Sequence, residues 1–201
     1  YVSDLFPHTR EIADDLCVIR SMSSDHTNHY EASLGMHTGS FTFARPSLGA
    51  WVSYGLGTEN INLPPFMVVA PKAPYAGTQT WGSDFLPAAY QGTRVLPGRD
   101  PVANVTPLIQ PRELQALELE ELQRLNRLHL AKRNHDSSLA ARIRSFTTAF
   151  GMEQAAPEAF NLSHESSATL DLYGLQPGEH EGFGWQCLMA RRLAERGVRF
   201  I

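Results

Sequence analysis

Leu63-Pro64-Pro65-Phe66-Met67-Val68-Val69-Ala70 is the run on which the fold class turns. The two prolines close whatever precedes them, and five apolar residues follow without a polar break. Such a short, continuous apolar run reads as a buried strand. Two further runs share its character: Leu16-Cys17-Val18-Ile19-Arg20 near the start and Val198-Arg199-Phe200-Ile201 at the end. Helical patterns lie beside them. Pro7 suits the first turn of a short helix that includes Arg10 to Ala13. Apolar spacing from about His29 to His37 closes at Thr38-Gly39, as a helix C-terminus does. Arg45-Pro46-Ser47 opens a helix with Leu48, Trp51, Val52 and Leu56 on one face, ended by Gly55 and Gly57. Phe183 to Arg196 forms a helix with Phe183, Cys187, Ala190 and Leu193 inward and Gly197 at its C′ position. No Asn-Gly hairpin signal occurs, so strands adjoined by helices predict an α/β domain with a mostly parallel sheet.

Residues 71–110 are rich in Pro, Gly and aromatics and read as one long loop. Residues 111–150 form a long helical segment. Leu119, Leu122, Leu125 and Leu128 make one stripe there, and Leu139, Ile143, Phe146 and Phe150 a second. Lys132 to Ser138 is expected to break the two, with Asp136 or Ser137 as a fresh cap. Leu170, Leu172 and Tyr173 end a short helix at Gly174.

The chain of 201 residues suits one domain, or one domain with an appended piece. Its 17 basic and 21 acidic residues give a formal charge of -4, which argues against a nucleic-acid binder resting on bulk electrostatics. Hydrophobic residues, at 42%, suffice for a core, and no apolar run is long enough for a membrane span. Cys17 and Cys187, far apart, exclude a disulfide scaffold and a Cys-based zinc cluster. The start at Tyr1 and the end inside an apolar run predict a piece of a longer protein, residues 1–201 being the central part of one domain truncated at both ends.

The densest polar cluster is Ser24-Asp25-His26-Thr27-Asn28-His29, between the first expected strand and the helix that follows. In open α/β sheets ligands bind outside the carboxyl ends of the strands. A helix N-terminus there offers N–H groups and a positive dipole end to a phosphate or sulfate ester. Thr27 and His29 are the catalytic candidates, the first as a hydroxyl nucleophile. Asp25, His26 and Asn28 are the substrate-binding candidates. A plainer reading stands beside this one: Asp25, Thr27 or Asn28 is simply the helix N-cap, and the histidines are solvated. His129, His135, His164 and His180 are expected to face solvent. Trp51, Tyr54 and Trp81 are expected to pack rather than to form a stacking platform. Asn104-Val105-Thr106 and Asn161-Leu162-Ser163 match the glycosylation pattern, which has meaning only in a eukaryotic secretory setting.

The order of several motifs resembles a known family. These are Asp14-Asp15-Leu16-Cys17-Val18-Ile19-Arg20-Ser21-Met22, Thr27-Asn28-His29, Thr38-Gly39, Arg45-Pro46-Ser47-Leu48-Gly49 and Asn62-Leu63-Pro64-Pro65-Phe66. Leu125-Asn126-Arg127, Leu172-Tyr173-Gly174 and Cys187-Leu188-Met189-Ala190-Arg191-Arg192-Leu193 follow, the last running into Gly197-Val198-Arg199-Phe200. Together they resemble the bacterial family called "domain of unknown function 1501", a sulfatase-like branch of the alkaline phosphatase superfamily abundant in planctomycetes. The resemblance implies a three-layer α/β/α domain, a divalent metal in the full-length protein, a small anionic ester as substrate, and export from the cytoplasm. Sulfatases begin their nucleophile motif with Cys/Ser-x-Pro-Ser-Arg, nine residues before a Thr-Gly. Counting back from Thr38 reaches His29, followed by Tyr30-Glu31-Ala32, so that motif is absent in its usual form. The family's acidic and Gly-Trp-Asp-Thr-His-like metal motifs would fall before Tyr1 and after Ile201. The expectation is therefore a metal-dependent sulfatase- or phosphatase-like hydrolase of which residues 1–201 hold one wall of the site, bind no metal alone and are inert alone. The alternative is a binding or structural protein on the same fold with a degraded site.

Overall fold

Met67 to Val69 forms strand β1, and it pairs in parallel with β2, Thr93–Val95. The computed structural model describes residues 1–102, 105, 111–133 and 136–201. The register sets Met67 against Thr93 and Val69 against Val95, closed by amide-to-carbonyl bonds from Thr93 to Phe66 and from Ala70 to Val95. On its other side β1 meets the end of the chain: Phe66 and Phe200 form a parallel bridge, and the Met67 amide donates to the Phe200 carbonyl at 3.0 Å. The architecture is mixed α/β, mainly helical around a small parallel sheet.

The helices are α1 (Pro7–Glu11), α2 (His29–Thr38), α3 (Leu48–Leu56), α4 (Arg112–Ala131), α5 (Ser137–Phe160), α6 (Ser167–Leu172) and α7 (Gly182–Glu195). Their ends follow local chemistry. Asn28, Ser47, Asp136 and Ser166 cap α2, α3, α5 and α6 through side-chain oxygens that accept backbone N–H groups. Gly39 ends α2 at φ 72, a left-handed conformation that glycine takes without a Cβ penalty.

The core joins α7, α5 and the sheet. Trp185, Leu188, Met189 and Leu193 of α7 are fully buried with Met67, Val95, Met152 and Ala159. Arg192 sits in the same layer, 6% exposed. Its guanidinium donates to the carbonyls of Ala159 at 2.9 Å, Glu158 at 2.9 Å and Asn161 at 3.0 Å, and it pairs with Glu165. These are the carbonyls that the end of α5 leaves without helical partners, so a buried cation from α7 closes a helix C-terminus.

Several expectations need correction. Leu16–Arg20 is not a strand: none of the described residues pairs with it, and Leu16, Val18 and Ile19 remain exposed. An apolar run becomes a strand only when a neighbour takes up its backbone groups. Val198–Ile201 contributes one bridge rather than a full strand. The 71–110 region is not a single loop, since it carries β2 and the 3₁₀ turns Gly77–Trp81 and Ala88–Tyr90. In α3 the buried face is Gly49, Ala50 and Ser53, while Leu48, Trp51 and Leu56 point outward. The cause is close approach. A Cβ on Gly49 would stand 2.5 Å from Cζ of Phe66, so only the small-residue face fits against that ring. In α7 the inward stripe is Trp185, Leu188, Met189 and Arg192 with Leu193, and Phe183 is exposed. The break expected between the two stripes of the 111–150 segment is present, with Asp136 capping α5, but α5 runs on to Phe160 rather than ending near Phe150. His135 and the Asn104 and Thr106 positions of the first sequon lie outside the described residues.

Candidate functional site

The turn from Ser24 to Asn28 is built by side chains that fold back on their own backbone. Ser24 Oγ accepts the His26 amide at 3.4 Å, His26 Nδ1 accepts the Asn28 amide at 3.1 Å, and Asn28 Oδ1 accepts the Tyr30 amide at 2.9 Å. Each bond spans two residues, the pattern by which polar side chains form local turns. Asn28 is thus the N-cap of α2, one of the three residues the plainer reading offered. Because His26 Nδ1 accepts, the neutral ring carries its proton on Nε2. That ring lies 5.6 Å from the Phe41 ring and 3.8 Å from Glu31 Oε2, a carboxylate oxygen that is buried and has no hydrogen-bond partner among the described residues.

The remaining candidates are more open. Asp25, Thr27 and His29 are all exposed. His29 stacks on Tyr75 with ring centroids 4.9 Å apart and planes 25° apart. Tyr30 Oη accepts from Gln79 Nε2 at 2.9 Å, tying the first turn of α2 to the 77–81 turn. The structure therefore gathers Asp25, His26, Thr27, Asn28 and His29 at one helix end, with Tyr75 and Gln79 as neighbours that the sequence did not flag. The strand expected to position them, Leu16–Arg20, is not formed, so the turn is held by its own side chains and by the 75–79 segment.

A second feature lies at the carboxyl end of β1. A cavity of about 590 Å³ opens there, lined by β1 and α7 and including His37, Lys72, Trp81, Gln186, Cys187 and Phe200. None of the five sequence candidates lines it. His37, in the last turn of α2, brings an imidazole to its edge, and Lys72, just past β1, brings an ammonium. Sequence reasoning missed these two. The usable signal was position: Lys72 follows a strand's carboxyl end, where α/β folds place ligands.

The motifs named from the sequence now have positions. Arg45-Pro46-Ser47-Leu48-Gly49 sets the cap of α3 and its approach to Phe66, and Leu188 to Leu193 with Gly197-Val198 carries the core and the turn into the sheet. A family model described as "Protein of unknown function (DUF1501)" matches residues 1–201. The chain belongs to the DUF1501 family. Comparison with curated proteins and with solved structures found no match.

The divalent metal implied by the family resemblance can be tested against the DUF1501 chain directly. Among the described residues no three His, Cys, Asp or Glu side chains are gathered closely enough to hold a metal ion. Catalytic metals usually take three protein ligands. The described residues do not fit such an ion. Among those residues no helix is long and apolar enough to cross a membrane.

Proposed function

We propose that this chain forms an anion-binding wall in a sulfatase- or phosphatase-like ester hydrolase with the three-layer α/β/α architecture of the alkaline phosphatase superfamily. The observation that carries the reading is the gathering of exposed Asp25, Thr27 and His29 around the capped N-terminus of the ten-residue helix α2. A helix end of that kind favours a negatively charged group by its dipole and free N–H groups. The substrate is a small sulfate or phosphate ester, with no nucleic acid as partner. Thr27 offers the hydroxyl, and His29 a proton acceptor or donor held flat against Tyr75. Asp25, His26 and Asn28 shape the turn and contact the ester. In this reading a divalent metal belongs to the full-length protein, with ligands outside these residues, and the protein works outside the cytoplasm.

One observation favours a second reading, a binding or structural protein without turnover. The amides of Asn28 and Tyr30 are already taken by His26 and Asn28, which leaves fewer donors for an anion. Paired measurements separate the two. Turnover of aryl sulfate and aryl phosphate esters by the full-length protein should fall at least tenfold in His29→Ala and vanish in Thr27→Ala, with melting temperatures within 2 °C of the parent (roughly, for exposed sites). Unchanged turnover in both variants, or no turnover in the parent with any divalent metal, refutes the hydrolase reading and leaves the second.

A further inference from the structure

The first long helix, α4, turns its less apolar side inward. Gln115, Leu119, Gln123, Asn126 and Leu130 are half-buried on that side. Two polar contacts tie it to α5: Gln115 Nε2 donates to Glu153 Oε1 at 2.9 Å, and Gln123 Nε2 meets Thr147 Oγ1 at 3.3 Å. Of the stripe Leu119, Leu122, Leu125 and Leu128 only Leu119 is half-buried; the other three are exposed, and Leu114 and Leu117 are exposed as well. Leu114, Leu117, Leu125 and Leu128 are 46, 63, 50 and 52% exposed. At 3.6 residues per turn they fall within an arc of about 80° and extend along about 21 Å of helix. Isolated exposed leucines are ordinary, whereas an aligned set on one helix has the form that an interaction surface takes.

The charges on α4 say what fits that surface. Glu113, Glu118, Glu120 and Glu121 occupy its first half, with Arg112 the one base among them, whereas Arg124, Arg127 and His129 occupy its second half, followed by Lys132 and Arg133. A helix that is acidic at one end and basic at the other is complementary to itself when reversed. We propose that α4 is a self-complementary interface through which two copies of this chain associate, helix against helix and antiparallel.

The register follows from the spacing. A twofold axis at residue 121 sets Leu114 against the partner's Leu128 and Leu117 against the partner's Leu125. The same register brings Glu118 to the partner's Arg124 and Glu113 to the partner's His129. A twofold contact must be self-complementary in this way. Glu121 lies on the axis, facing its own copy. Its carboxylate is held by Arg124 through bonds of 2.8 and 2.7 Å, so the axis carries two ion pairs rather than two bare carboxylates. Paired helices of this length bury less than about 1,200 Å², the weak end of specific interfaces. A weak association is therefore expected, with a dissociation constant on the order of 1–100 μM.

Sedimentation of the full-length protein between 1 and 200 μM tests the proposal. A dimer is expected whose dissociation constant rises severalfold between low and high salt, as interfacial charges are screened. Leu125→Glu should return it to monomer with an unchanged melting temperature. Glu121→Leu should tighten it at least tenfold by completing the apolar stripe. In a background whose native cysteines, Cys17 and Cys187 among them, are replaced by serine, Glu121→Cys should give a covalent dimer on mild oxidation, because the axis places the two thiols together, and Leu114→Cys should not. Three results overturn the proposal: a monomer across the whole range, a dimer untouched by Leu125→Glu, or a covalent dimer from Leu114→Cys in place of Glu121→Cys. A monomer that loses stability sharply in Leu125→Glu also overturns it, since the stripe is then covered within one chain.

Discussion

Replacing Arg192 with methionine removes the guanidinium while keeping most of the side-chain volume. Three α5 carbonyls, those of Glu158, Ala159 and Asn161, lose a charged donor, and Glu165 loses its partner. The Glu165 side chain is only 10% exposed, so its carboxylate regains little water. Breaking a buried pair from one side costs about 3–5 kcal/mol. Arg191, whose Nη2 stands 4.0 Å from Glu165, relieves part of this and points to the lower end of the range. For a chain of this size each kcal/mol moves the melting temperature by about 2–4 °C. The expected loss is therefore about 6–12 °C, with a matching fall in the urea midpoint at an unchanged m-value. Adding Glu165→Leu should recover about 1–3 kcal/mol, because the orphaned carboxylate is then gone. A single variant within about 1 kcal/mol of the parent would refute the reasoning, since the α5 terminus would then not depend on the α7 cation.

Two further outcomes follow from local geometry. A Cβ on Gly184 would stand 2.0 Å from the Tyr173 carbonyl oxygen, so Gly184→Ala must push the start of α7 off the α6 end. A loss of about 2 kcal/mol or more by urea unfolding is expected, against the small gain that Gly→Ala gives in an unobstructed helix. Asp84 sits at φ 42 and is exposed, and partial desolvation by its neighbours raises its carboxyl pKa above 3.8. Its contribution to stability is complete below about pH 3.8 and is lost as pH rises through the folded value. Asp84→Asn should therefore be more stable relative to the parent at neutral pH, with the difference shrinking on acidification. Melts from pH 3 to 7 read this directly, and parallel curves would exclude it.

The sequence made helix ends legible because caps act locally. Thr38-Gly39, Asp136 and Gly197 each mark a terminus that the structure contains. Strands were less legible, since pairing depends on distant partners. Phe66–Ala70 found two neighbours, whereas Leu16–Arg20, just as apolar, found none among the described residues. β2 escaped notice because three residues between Gly92 and Leu96 carry too little pattern. Helix faces failed for a steric reason: α3 and α7 are oriented by Gly49 against Phe66 and by Gly184 against Tyr173, and periodicity counts apolar residues without seeing close approach. At the candidate site the polar cluster and its helix could be read, but not the Tyr75 and Gln79 neighbours, which arrive from another part of the chain.

The contact between β1 and the end of the chain has a consequence for synthesis on the ribosome. Asn60 Nδ2 donates to the Arg196 carbonyl across 136 residues, and Arg199 Nε to the Gly57 carbonyl across 142. At about 5–20 residues per second, the partner emerges on the order of 10 s after the segment that needs it. Throughout that interval Phe66 and Met67 have no neighbour on one side. The α4–α5 hairpin is complete before then, whereas α7 reaches the core only when residues 182–195 have left the tunnel. The nascent protein thus spends seconds with an apolar strand edge open to other chains, the kind of exposure that makes incompletely folded chains prone to aggregate.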